Sequence, residues 1–474
     1  MILLFCTFTM CYAYFYQGGG WNQNSQFDTV RALVERGTTE ITAYAQNTGD
    51  VGILRGHVYS NKPPGLAFLG APVYFAAYHL ERGLGLDPSS VWQVTANAHL
   101  LTFCTSGLPG VLLVLLLYRH FRRQGATLRE GLWLGAAFGV GSLALPFSGV
   151  MMNHLFNACL LFAAWSLLTR DTLSHRAALL AGLLSGMAIM TESLAAPAVA
   201  LFLVYAALRR RQVFPMFLLG AALLTGGLLA HNYACFGSPF LNANSFQPNA
   251  FRSEGQLFGM LDWPQPVRLF WLTFHPFRGL FLCCPVLLVS FLSIRRSRPV
   301  WTLALEKSIP LAIVAYHFLF NMSFNGWTGG WSAGPRYLIP ALPFWFSFAL
   351  TGFRRFRLVT AGLATLSAVL MFSVSAVLVM VPGPGKGPPP FFSPVFFCVS
   401  QLIAGQVSIS TDGVLGLAPE DQKWASYNLG EVMGLHGLAS LIPIGLVLLA
   451  FVLLARRLTG EAAAPGRAVD GHLS

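Results

Sequence analysis

Charged side chains are scarce in this chain. Asp, Glu, Lys and Arg make up 10% of its 474 residues, whereas 55% of the residues are hydrophobic. Soluble domains carry about a quarter charged residues, so the composition excludes an ordinary soluble protein. Uncharged runs at 358–381 and 433–455 are each long enough to cross a bilayer. The sequence therefore predicts a membrane protein.

Motifs typical of several other classes of protein are missing as well. The eight cysteines form no CxxC pair and no Cys/His spacing typical of zinc, so we expect them to act as buried apolar residues. The net charge of +12 is not arranged as a basic stripe with interleaved aromatics, which excludes nucleic-acid binding. No glycine-rich dinucleotide loop, internal repeat or sizeable soluble domain is recognisable.

The apolar runs predict an all-α polytopic membrane protein with about 12 transmembrane helices, in the range of roughly 11 to 13. A signal peptide fits the first run poorly, so we expect a membrane helix whose start lies slightly upstream. We interpret 63–84 as a re-entrant or interfacial helix, because its flanks belong on one side. The expected spans lie near 1–16, 90–118, 131–150, 153–169, 177–192, 194–208, 214–232, 272–294, 309–323, 336–353, 358–381 and 433–455.

Arginine clusters orient these spans. If both termini are cytoplasmic, all of these clusters lie on the cytoplasmic side. Cytoplasmic loops of membrane proteins carry an excess of Lys and Arg, so this orientation is predicted. The outer loops are then 17–89, 233–271, 325–337 and 382–432. A single transmembrane domain, 1–458, would be followed by a disordered cytoplasmic tail, 459–474. The clustered arginines are Arg119, Arg122, Arg123, Arg209, Arg210, Arg211, Arg295, Arg296, Arg298, Arg354, Arg355, Arg357, Arg456 and Arg457.

Two polar segments occupy the first outer loop of this otherwise apolar chain. Asp28 lies shortly after the first span, and Lys62 heads the later turn Lys62-Pro63-Pro64. Charged residues beside a bilayer indicate charged chemistry there. A carboxylate can take a proton from a hydroxyl, and a lysine at a helix start can hold a phosphate. The alternatives are a helix cap or an Asp28–Arg31 pair, and a lysine extending to the lipid interface.

Two arginines are further candidates for binding a phosphate or diphosphate. Arg336 follows a glycine-rich segment in which backbone can approach a ligand closely, and Arg278 enters another span from the same outer face. The alternative for Arg278 is an interfacial anchor. Trp331 could stack on a sugar or belong to the aromatic belt of the membrane interface. Tyr59, just before the Lys62 turn, is a candidate for the acceptor or sugar site.

Three other residues are candidates for the acceptor or sugar site. Glu192 interrupts an apolar hairpin, so it either lines a cavity, pairs with a cation or caps the next helix. His154 lies at the neighbouring hairpin, where a structural role is the usual alternative. Asp50 shares the first loop with Asp28. It could be a second carboxylate, a metal ligand or a turn residue, and the turn is favoured.

The order of these motifs resembles that of GT-C superfamily glycosyltransferases. The similarity is to the branch containing protein O-mannosyltransferases and the lipid A aminoarabinose transferase. It rests on the acidic residue after the first helix, on Lys62-Pro63-Pro64, and on the later segments 236–240 and 334–344. The resemblance implies a polyprenyl-phosphate sugar donor, catalysis on the extracytoplasmic face, Asp28 as base and Lys62 as a ligand of the donor phosphate.

The departures from the family pattern bear on metal dependence. Relatives often carry an acidic pair or a carboxylate directly before the Lys-Pro, whereas here Thr29 follows Asp28 and Asn61 precedes Lys62. We therefore expect no required cofactor or metal, with a divalent cation as the alternative.

The hypothesis is an inverting glycosyltransferase of the cell envelope, in a bacterial inner membrane. Its acceptor would be a hydroxyl of a protein, lipid or glycan. The alternative is a multi-spanning transporter or flippase of a lipid-linked or anionic substrate, although no repeated halves support it.

Overall fold

A computed structural model of the chain describes residues 1–248, 256–257, 259–294, 304–383, 392–410 and 425–461. The predicted arginine cluster at 295–298, parts of the second and fourth outer loops, and the tail beyond Glu461 lie outside the described residues. The first residues of the predicted tail, 459–461, are helical and continue the last helix.

The described chain is mainly helical. Its first half contains α1 (Ile2–Tyr14), α2 (Trp21–Arg31), α3 (Gly65–Gly83), α4 (Val91–Thr102), α5 (Leu108–Arg123), α6 (Leu128–Gly141), α7 (Ala144–Ser148), α8 (Asn153–Leu168), α9 (His175–Thr191), α10 (Ala196–Arg209) and α11 (Phe214–Phe236). Its second half contains α12 (Pro266–Thr273), α13 (Leu280–Cys283), α14 (Leu288–Ile294), α15 (Leu305–Ser323), α16 (Leu342–Phe346), α17 (Ala349–Arg355), α18 (Arg357–Val377), α19 (Pro394–Ile403), α20 (Leu429–Val432) and α21 (Ile442–Glu461).

Within the described residues, four helical stretches are long and apolar enough to cross a membrane. They are Val91–Arg123, Phe214–Phe236, Arg357–Val377 and Gly437–Gly460, and shorter apolar helices include α1, α8 and α9. The first stretch joins α4 to α5 without interruption through a π-helical turn at Phe103–Gly107. These helices indicate an integral membrane protein, as the composition predicts. The predicted number of spans stays a prediction.

Three expected spans are wrong as continuous helices. The run 272–294 is divided among α12, α13 and α14, and the run 336–353 begins as a 3₁₀ helix, Arg336–Ala341, before α16 and α17. Proline at 276, 285, 340 and 343 explains the breaks, because its ring supplies no N–H to the helical ladder. A third run, 131–150, is also interrupted, since α6 ends at Gly141 and α7 begins at Ala144.

Helices α9 and α11 pack at unusually short distance. A Cβ atom at Gly182 would lie 2.1 Å from the carbonyl oxygen of Phe217, and one at Gly220 would lie 2.4 Å from that of Leu179. Glycine on both sides of the contact lets the two backbones approach, as is common where helices associate in lipid. This contact fixes the end of α11 above the first outer loop.

Short strands connect distant parts of the chain. Strand β1 (Phe15–Gln17) pairs antiparallel with β4 (Ser426–Asn428), which joins the end of α1 to the segment before α20. Strands β2 (Val51–Leu54) and β3 (His57–Ser60) form a hairpin inside the first outer loop. The hairpin ends directly before the Lys62 turn and so determines where that turn lies.

The first outer loop is an ordered unit built on α2 and α3. Phe27 and Val30 of α2 pack with Leu66 and Tyr74 of α3 in a separate buried apolar cluster. The rings of Phe27 and Tyr74 meet edge to face, with centroids 5.8 Å apart. Gly37 ends the helical segment with a positive φ of 67°.

Candidate active site

Helix α2 buries an unusual number of polar side chains. Asn24, Ser25, Gln26, Asp28 and Thr29 are all buried, although none of α2 belongs to the long apolar stretches. Polar groups buried in a fold need hydrogen-bond partners, and here the rest of the first loop supplies them for Asn24, Ser25 and Asp28. The run of polar residues before Asp28 is therefore the contact surface on which that loop docks.

Asp28 lies deep in this surface. Its exposed fraction is 1%, and its Oδ1 atom accepts a long hydrogen bond of 3.5 Å from the side-chain amide of Asn47. Within the described part of the chain, Oδ2 has no hydrogen-bond partner. Burial raises the pKa of Asp28 to about 7, against the opposing effects of Arg31 and of the Asn47 hydrogen bond. A carboxyl group with this pKa can exchange a proton near neutral pH.

The two alternatives for Asp28, a helix cap and an ion pair with Arg31, do not describe this geometry. Asp28 lies in the last turn of α2, whose N-cap is Gly20, so it is not an N-terminal cap. Arg31 forms its ion pair with Glu35, at 2.9 Å, and not with Asp28. Glu35 also accepts hydrogen bonds from Tyr44 and Tyr74, at 2.9 and 2.7 Å. Burial favours a higher pKa for Glu35, but Tyr74 and Arg31 outweigh it and hold the pKa below its usual range.

Besides the contact of Asn47 with Asp28, three hydrogen bonds hold the segment 47–50 against α2. The side-chain amide of Asn24 donates to the Asn47 carbonyl at 2.9 Å, and the Thr48 hydroxyl donates to the Trp21 carbonyl at 2.7 Å. The Ser25 hydroxyl donates to the Asp50 carbonyl at 2.7 Å. Asn24 and Asp28, one helical turn apart, thus both contact Asn47. The segment that carries Asp50 is fixed to the helix that carries Asp28.

Lys62 forms an ion pair with Asp50. Its Nζ atom lies 2.9 Å from Oδ2 of Asp50, and the Asn61 amide donates to Oδ1 at 3.4 Å. Burial favours a higher pKa for Asp50, but the attraction of Lys62, with a contribution from Arg336, holds the pKa below its usual range. Asp50 is therefore more than the turn residue favoured by the sequence. It is the ionised partner of the lysine.

The Lys62 turn leads into a helix, as predicted. Pro64 is the N-cap of α3, and the helix begins at Gly65. A Cβ atom at Gly65 would lie 2.7 Å from the backbone carbonyl group of Met190, so glycine allows this turn to pack against the end of α9. The Ser60 hydroxyl accepts from the Lys62 N–H at 3.1 Å and lies 2.6 Å from the Ser25 hydroxyl. Lys62 is thus positioned both by α2 and by the start of α3.

Arg336 retains unused hydrogen-bonding capacity. Its Nη1 atom donates to the Met152 sulfur at 3.6 Å, and its Nη2 atom donates to the Tyr337 hydroxyl at 3.5 Å. Both contacts are long, and Nε is buried without a partner among the described residues. Its effect on the pKa of Asp50 places Arg336 within electrostatic reach of the Lys62 pair. The structure thus joins Lys62 to Asp50 by an ion pair and places Arg336 within electrostatic reach of Asp50.

Arg278 has a different environment. Its exposed fraction is 0%, and it donates to the carbonyls of Thr328, at 2.7 Å, and Gly330, at 2.8 Å. The guanidinium also lies 4.0 Å from the ring centroid of Phe277. These contacts anchor the glycine-rich loop that precedes Arg336. Phosphate binding by Arg278 stays a prediction, and its observed contacts are with the loop. Trp331 lies on the same loop with 40% of its surface exposed.

Glu192 and His154 form a buried pair in a second polar cluster. The His154 Nδ1 atom lies 3.0 Å from Oε1 of Glu192, and the Asn157 amide donates to Oε2 at 3.1 Å. The Glu192 side chain makes no capping hydrogen bond, and its partners are His154 and Asn157. The ring of His154 meets the ring of Tyr337 edge to face, at 5.2 Å. This cluster therefore contacts Tyr337, which directly follows Arg336 in the chain.

A small open pocket lies beside Lys62. Its enclosed volume is about 50 Å³, and it is bordered by Thr29, Tyr59, Lys62, Phe236 and Asn242 among others. Asp28 does not line the pocket, but Thr29 directly follows it in α2. Tyr59, a candidate from the sequence, belongs to this pocket, where its ring meets that of Phe236.

The sequence interpretation missed Ser25, Asn47 and Asn61, which tie α2 to the Lys62 turn. The signal was the run of five consecutive polar residues at 22–26, shortly before Asp28. Such a run covers more than the solvent-facing side of a helix, so some of its side chains must lie against the protein. In the described parts of the chain, no group of three or more His, Cys, Asp and Glu side chains is arranged to hold a metal ion. Independence from a metal stays a prediction.

Neither a protein-family model nor a curated protein sequence matches the chain. Two crystal structures of ArnT from Cupriavidus metallidurans are similar to it. The structure in the apo state shares 15% identity, covers 97% of this chain and 77% of that chain, and gives a TM-score of 0.51. The structure bound to undecaprenyl phosphate shares 14% identity, covers 97% and 76%, and gives a TM-score of 0.52. ArnT is the aminoarabinose transferase, so the chain has the GT-C fold that its short motifs predict.

Proposed function

We propose that this protein is an inverting glycosyltransferase that moves a sugar from a polyprenyl-phosphate donor to a hydroxyl acceptor. The reaction would take place on the extracytoplasmic face of a bacterial inner membrane, with both termini cytoplasmic. One observation carries the proposal. A buried Asp28 with a free carboxylate oxygen and a pKa of about 7 lies on the helix to which the Lys62 turn is docked.

Asp28 acts as the general base in this proposal. Its unpartnered Oδ2 atom accepts the proton of the acceptor hydroxyl as the hydroxyl oxygen bonds to the anomeric carbon. The bond between that carbon and the phosphate oxygen breaks, and the phosphate leaves with the electron pair. A single displacement of this kind inverts the anomeric centre, and it needs no second carboxylate as nucleophile. No metal takes part.

Lys62 and Arg336 stabilise the departing phosphate. Lys62 is held at 2.9 Å from Asp50, and Arg336 offers an Nε atom without a partner among the described residues. When the donor binds, its phosphate competes with Asp50 for the lysine, and the N-terminus of α3 adds free backbone N–H groups. Asp50 thus holds Lys62 in position before the donor arrives.

The donor class is supported by the structural neighbours. One of the two ArnT structures is bound to undecaprenyl phosphate, which is the carrier lipid that a polyprenyl-phosphate donor would release. The four long apolar helices agree with a substrate delivered from within a membrane. The acceptor, a protein, lipid or glycan hydroxyl, is left open.

The test uses membrane vesicles from the source strain and labelled undecaprenyl-phosphate sugars, with release of undecaprenyl phosphate as the measured quantity. We expect Asp28→Asn to lower the transfer rate at least about a hundredfold, because loss of a general base has effects of that size. The wild-type rate should rise with pH through about 7, as Asp28 loses its proton. The control is Asp87→Asn, the same change at an exposed site in the same loop.

Lys62→Ala should mainly weaken use of the donor, by about ten- to hundredfold in apparent affinity, because a charge-assisted contact with the phosphate is lost. Lys307→Ala, at an exposed site, is the matched control. Unchanged transfer in Asp28→Asn protein that is folded and inserted would refute the assignment of the base. Normal donor affinity in Lys62→Ala would refute the phosphate contact.

A further inference from the structure

A second pocket lies between the ends of α5 and α8 and the neighbouring part of α9. Its volume is about 200 Å³, and it is lined by three arginines, by Ser166 and by several leucines. The Lys62 turn packs against Met190, in the last turn of α9. Leu180 of the pocket precedes Met190 by ten residues, which is about 15 Å along a helix. The pocket and the proposed active site therefore lie toward opposite ends of α9.

The three arginines of this pocket carry an excess of positive charge. Among the residues that the structure describes, none of Arg119, Arg123 and Arg170 forms an ion pair. Arg119 and Arg170 lie within electrostatic reach of Arg123, so these charges repel one another. Asp171 attracts Arg123, but its side chain is exposed and does not line the pocket. One carboxylate near three guanidinium groups leaves a net charge that favours an anionic occupant.

Capping of helix ends explains only part of this cluster. Arg123 donates from Nη1 to the Ser166 carbonyl at 3.2 Å, which ties the end of α5 to the end of α8. Arg210 donates to the Arg170 carbonyl and holds the segment after α8, although Arg210 does not line the pocket. Within the described part of the chain, no carbonyl accepts a hydrogen bond from Arg119. The helix ends therefore do not account for the side chains of Arg119 and Arg170.

Two polar atoms of the lining residues are buried and unused. They are Oγ of Ser166 and Nε of Arg170, and neither has a hydrogen-bond partner among the described residues. Buried polar groups are normally paired, so two unused donors beside one cavity indicate a ligand with acceptor oxygens. A hydroxyl group and a guanidinium N–H group both donate to phosphate oxygens. Ser166 and Arg170 thus add directed hydrogen bonds to the charge of the pocket.

The remaining wall is apolar and reaches the surface of the helical bundle. Leu116, Leu167 and Leu184 are partly buried, whereas Leu180 is 48% exposed. A free phosphate ion would leave these leucines uncovered, but an acyl chain would cover them. The arginine clusters predict that this end of the helices lies at the cytoplasmic face, where basic pockets between membrane helices bind anionic headgroups. The pocket thus fits a phosphate that is attached to acyl chains.

We propose that this pocket binds an anionic phospholipid of the cytoplasmic leaflet. Arg119, Arg123, Arg170 and Ser166 hold the phosphate of the headgroup, and an acyl chain lies against the leucines. The site is separate from the proposed transfer reaction, because it uses no residue of the Lys62 turn. A ligand that binds the folded state stabilises it, so the lipid strengthens the contact between the ends of α5 and α8.

Native mass spectrometry of the full chain in detergent tests the proposal, since it counts bound lipids and gives their affinities. The probes are phosphatidylglycerol and phosphatidylcholine with the same acyl chains, and glycerol phosphate as a soluble phosphate. We expect phosphatidylglycerol to bind at least about tenfold more tightly than phosphatidylcholine, whose choline group is repelled by the arginines. Glycerol phosphate should not displace it. Equal affinities of the two lipids, or displacement by glycerol phosphate, would overturn the proposal.

Ser166→Ala separates lipid binding from folding. Because its hydroxyl has no hydrogen-bond partner among the described residues, the change should not lower the thermal stability of the lipid-free protein. We expect the affinity for phosphatidylglycerol to fall about three- to tenfold, because a hydrogen bond to the phosphate is lost. The matched control is Ser375→Ala on α18, which is also partly buried and donates to the Met371 carbonyl at 2.9 Å. This control should leave the affinity unchanged.

Arg119→Gln removes one charge of the pocket. We expect it to weaken binding of phosphatidylglycerol about two- to fivefold, the effect of one basic residue near a lipid headgroup. The matched control is Arg209→Gln, an exposed arginine on the same predicted face and outside the pocket lining. Equal effects of these two variants would mean that the lipid follows the overall charge, and would overturn the assignment of the pocket. Lys62→Ala should bind phosphatidylglycerol normally, so this site and the proposed donor site fail independently.

Discussion

At the scale of single residues, Asp28 combines two properties that oppose each other. Its carboxyl group is almost fully buried, which penalises the charged form, yet only the charged form can accept a proton from an acceptor. Arg31 and Asn47 stabilise the charged form and offset part of this penalty, so the pKa of Asp28 is about 7. The residue is therefore half ionised near neutral pH. A general base with such a pKa is present in its charged form and is still basic enough to take a proton.

This burial has a measurable cost in stability. The pKa of Asp28 is about 7 in the folded protein and 3.8 in the reference state, so between these values the folded state binds more protons than the unfolded state. The free energy of unfolding then falls as pH rises from about 4 to 7. Asp28→Asn removes the buried charge. We expect the variant to be more stable than the wild type at pH 8, by up to about 4 kcal/mol.

Thermal unfolding of both proteins in detergent between pH 4 and 8 measures this difference. It should shrink as pH falls below 7 and vanish near pH 4, where both side chains are neutral. Asp87→Asn, at an exposed site, should show no such dependence. A constant difference between wild type and Asp28→Asn at every pH would mean that the carboxyl group does not titrate in this range.

The two sharpest candidates, Asp28 and Lys62, are recognisable from sequence because a charge beside a membrane is expensive without a role. Their partners are not recognisable in this way. The pair of Asp50 with Lys62 and the contact of Asn47 with Asp28 join positions separated by a hairpin and a helix. Spacing along the chain reports which residues share a helix face, but it does not report which loops dock on it.

At the scale of elements, composition predicts where the chain is apolar but not where a helix breaks. The runs 272–294 and 336–353 have the length and apolarity of spans, yet each is divided by proline and glycine. Such breaks are tolerated only where other parts of the protein satisfy the freed backbone groups. Arg278 satisfies two backbone carbonyl groups in the loop before Arg336, because it donates hydrogen bonds to those of Thr328 and Gly330. No local pattern predicts that contact.

The Glu192–His154 pair joins α8 to the junction of α9 and α10. Both side chains are buried, and their atoms lie 3.0 Å apart. Removing one partner of a buried pair leaves the other uncompensated, which typically costs about 3–5 kcal/mol. We expect Glu192→Ala and His154→Ala each to destabilise the protein by about 3 kcal/mol. The double variant should lose clearly less than the sum, because the second change removes the group left unpaired.

Thermal unfolding of the four proteins gives this coupling energy. The exposed pair His57–Glu40 has the same chemistry at 2.9 Å and is the matched control, with an expected coupling of at most about 1 kcal/mol. Additive effects at Glu192 and His154 would show that the pair is not ionised or does not hold the helices together.

At the scale of the whole molecule, the short motifs were enough to predict the GT-C fold, although identity with the neighbouring structures is only 15%. Each motif is recognisable because its residue types have a chemical use, as a carboxylate and a lysine beside a membrane do. The packing between them is less constrained, since lipid-facing apolar side chains are interchangeable. The pairing of β1 with β4 illustrates the limit, because it joins residues 15–17 to 426–428 and no sequence signal connects them.

The arginine clusters predict the orientation of the molecule, and the orientation sets the side of the membrane on which the proposed transfer takes place. If both termini are cytoplasmic, Ser89 lies at the end of the first outer loop and Gln212 follows the inner cluster Arg209–Arg211. Both side chains are exposed, so either can carry a reporter cysteine. We expect Ser89→Cys to react with a membrane-impermeant maleimide in intact cells. Gln212→Cys should react only after the membrane is permeabilised. The unmodified protein, whose Cys6 is exposed, gives the background. The reversed labelling pattern would put Asp28 and Lys62 on the cytoplasmic side, where an extracytoplasmic acceptor cannot reach them.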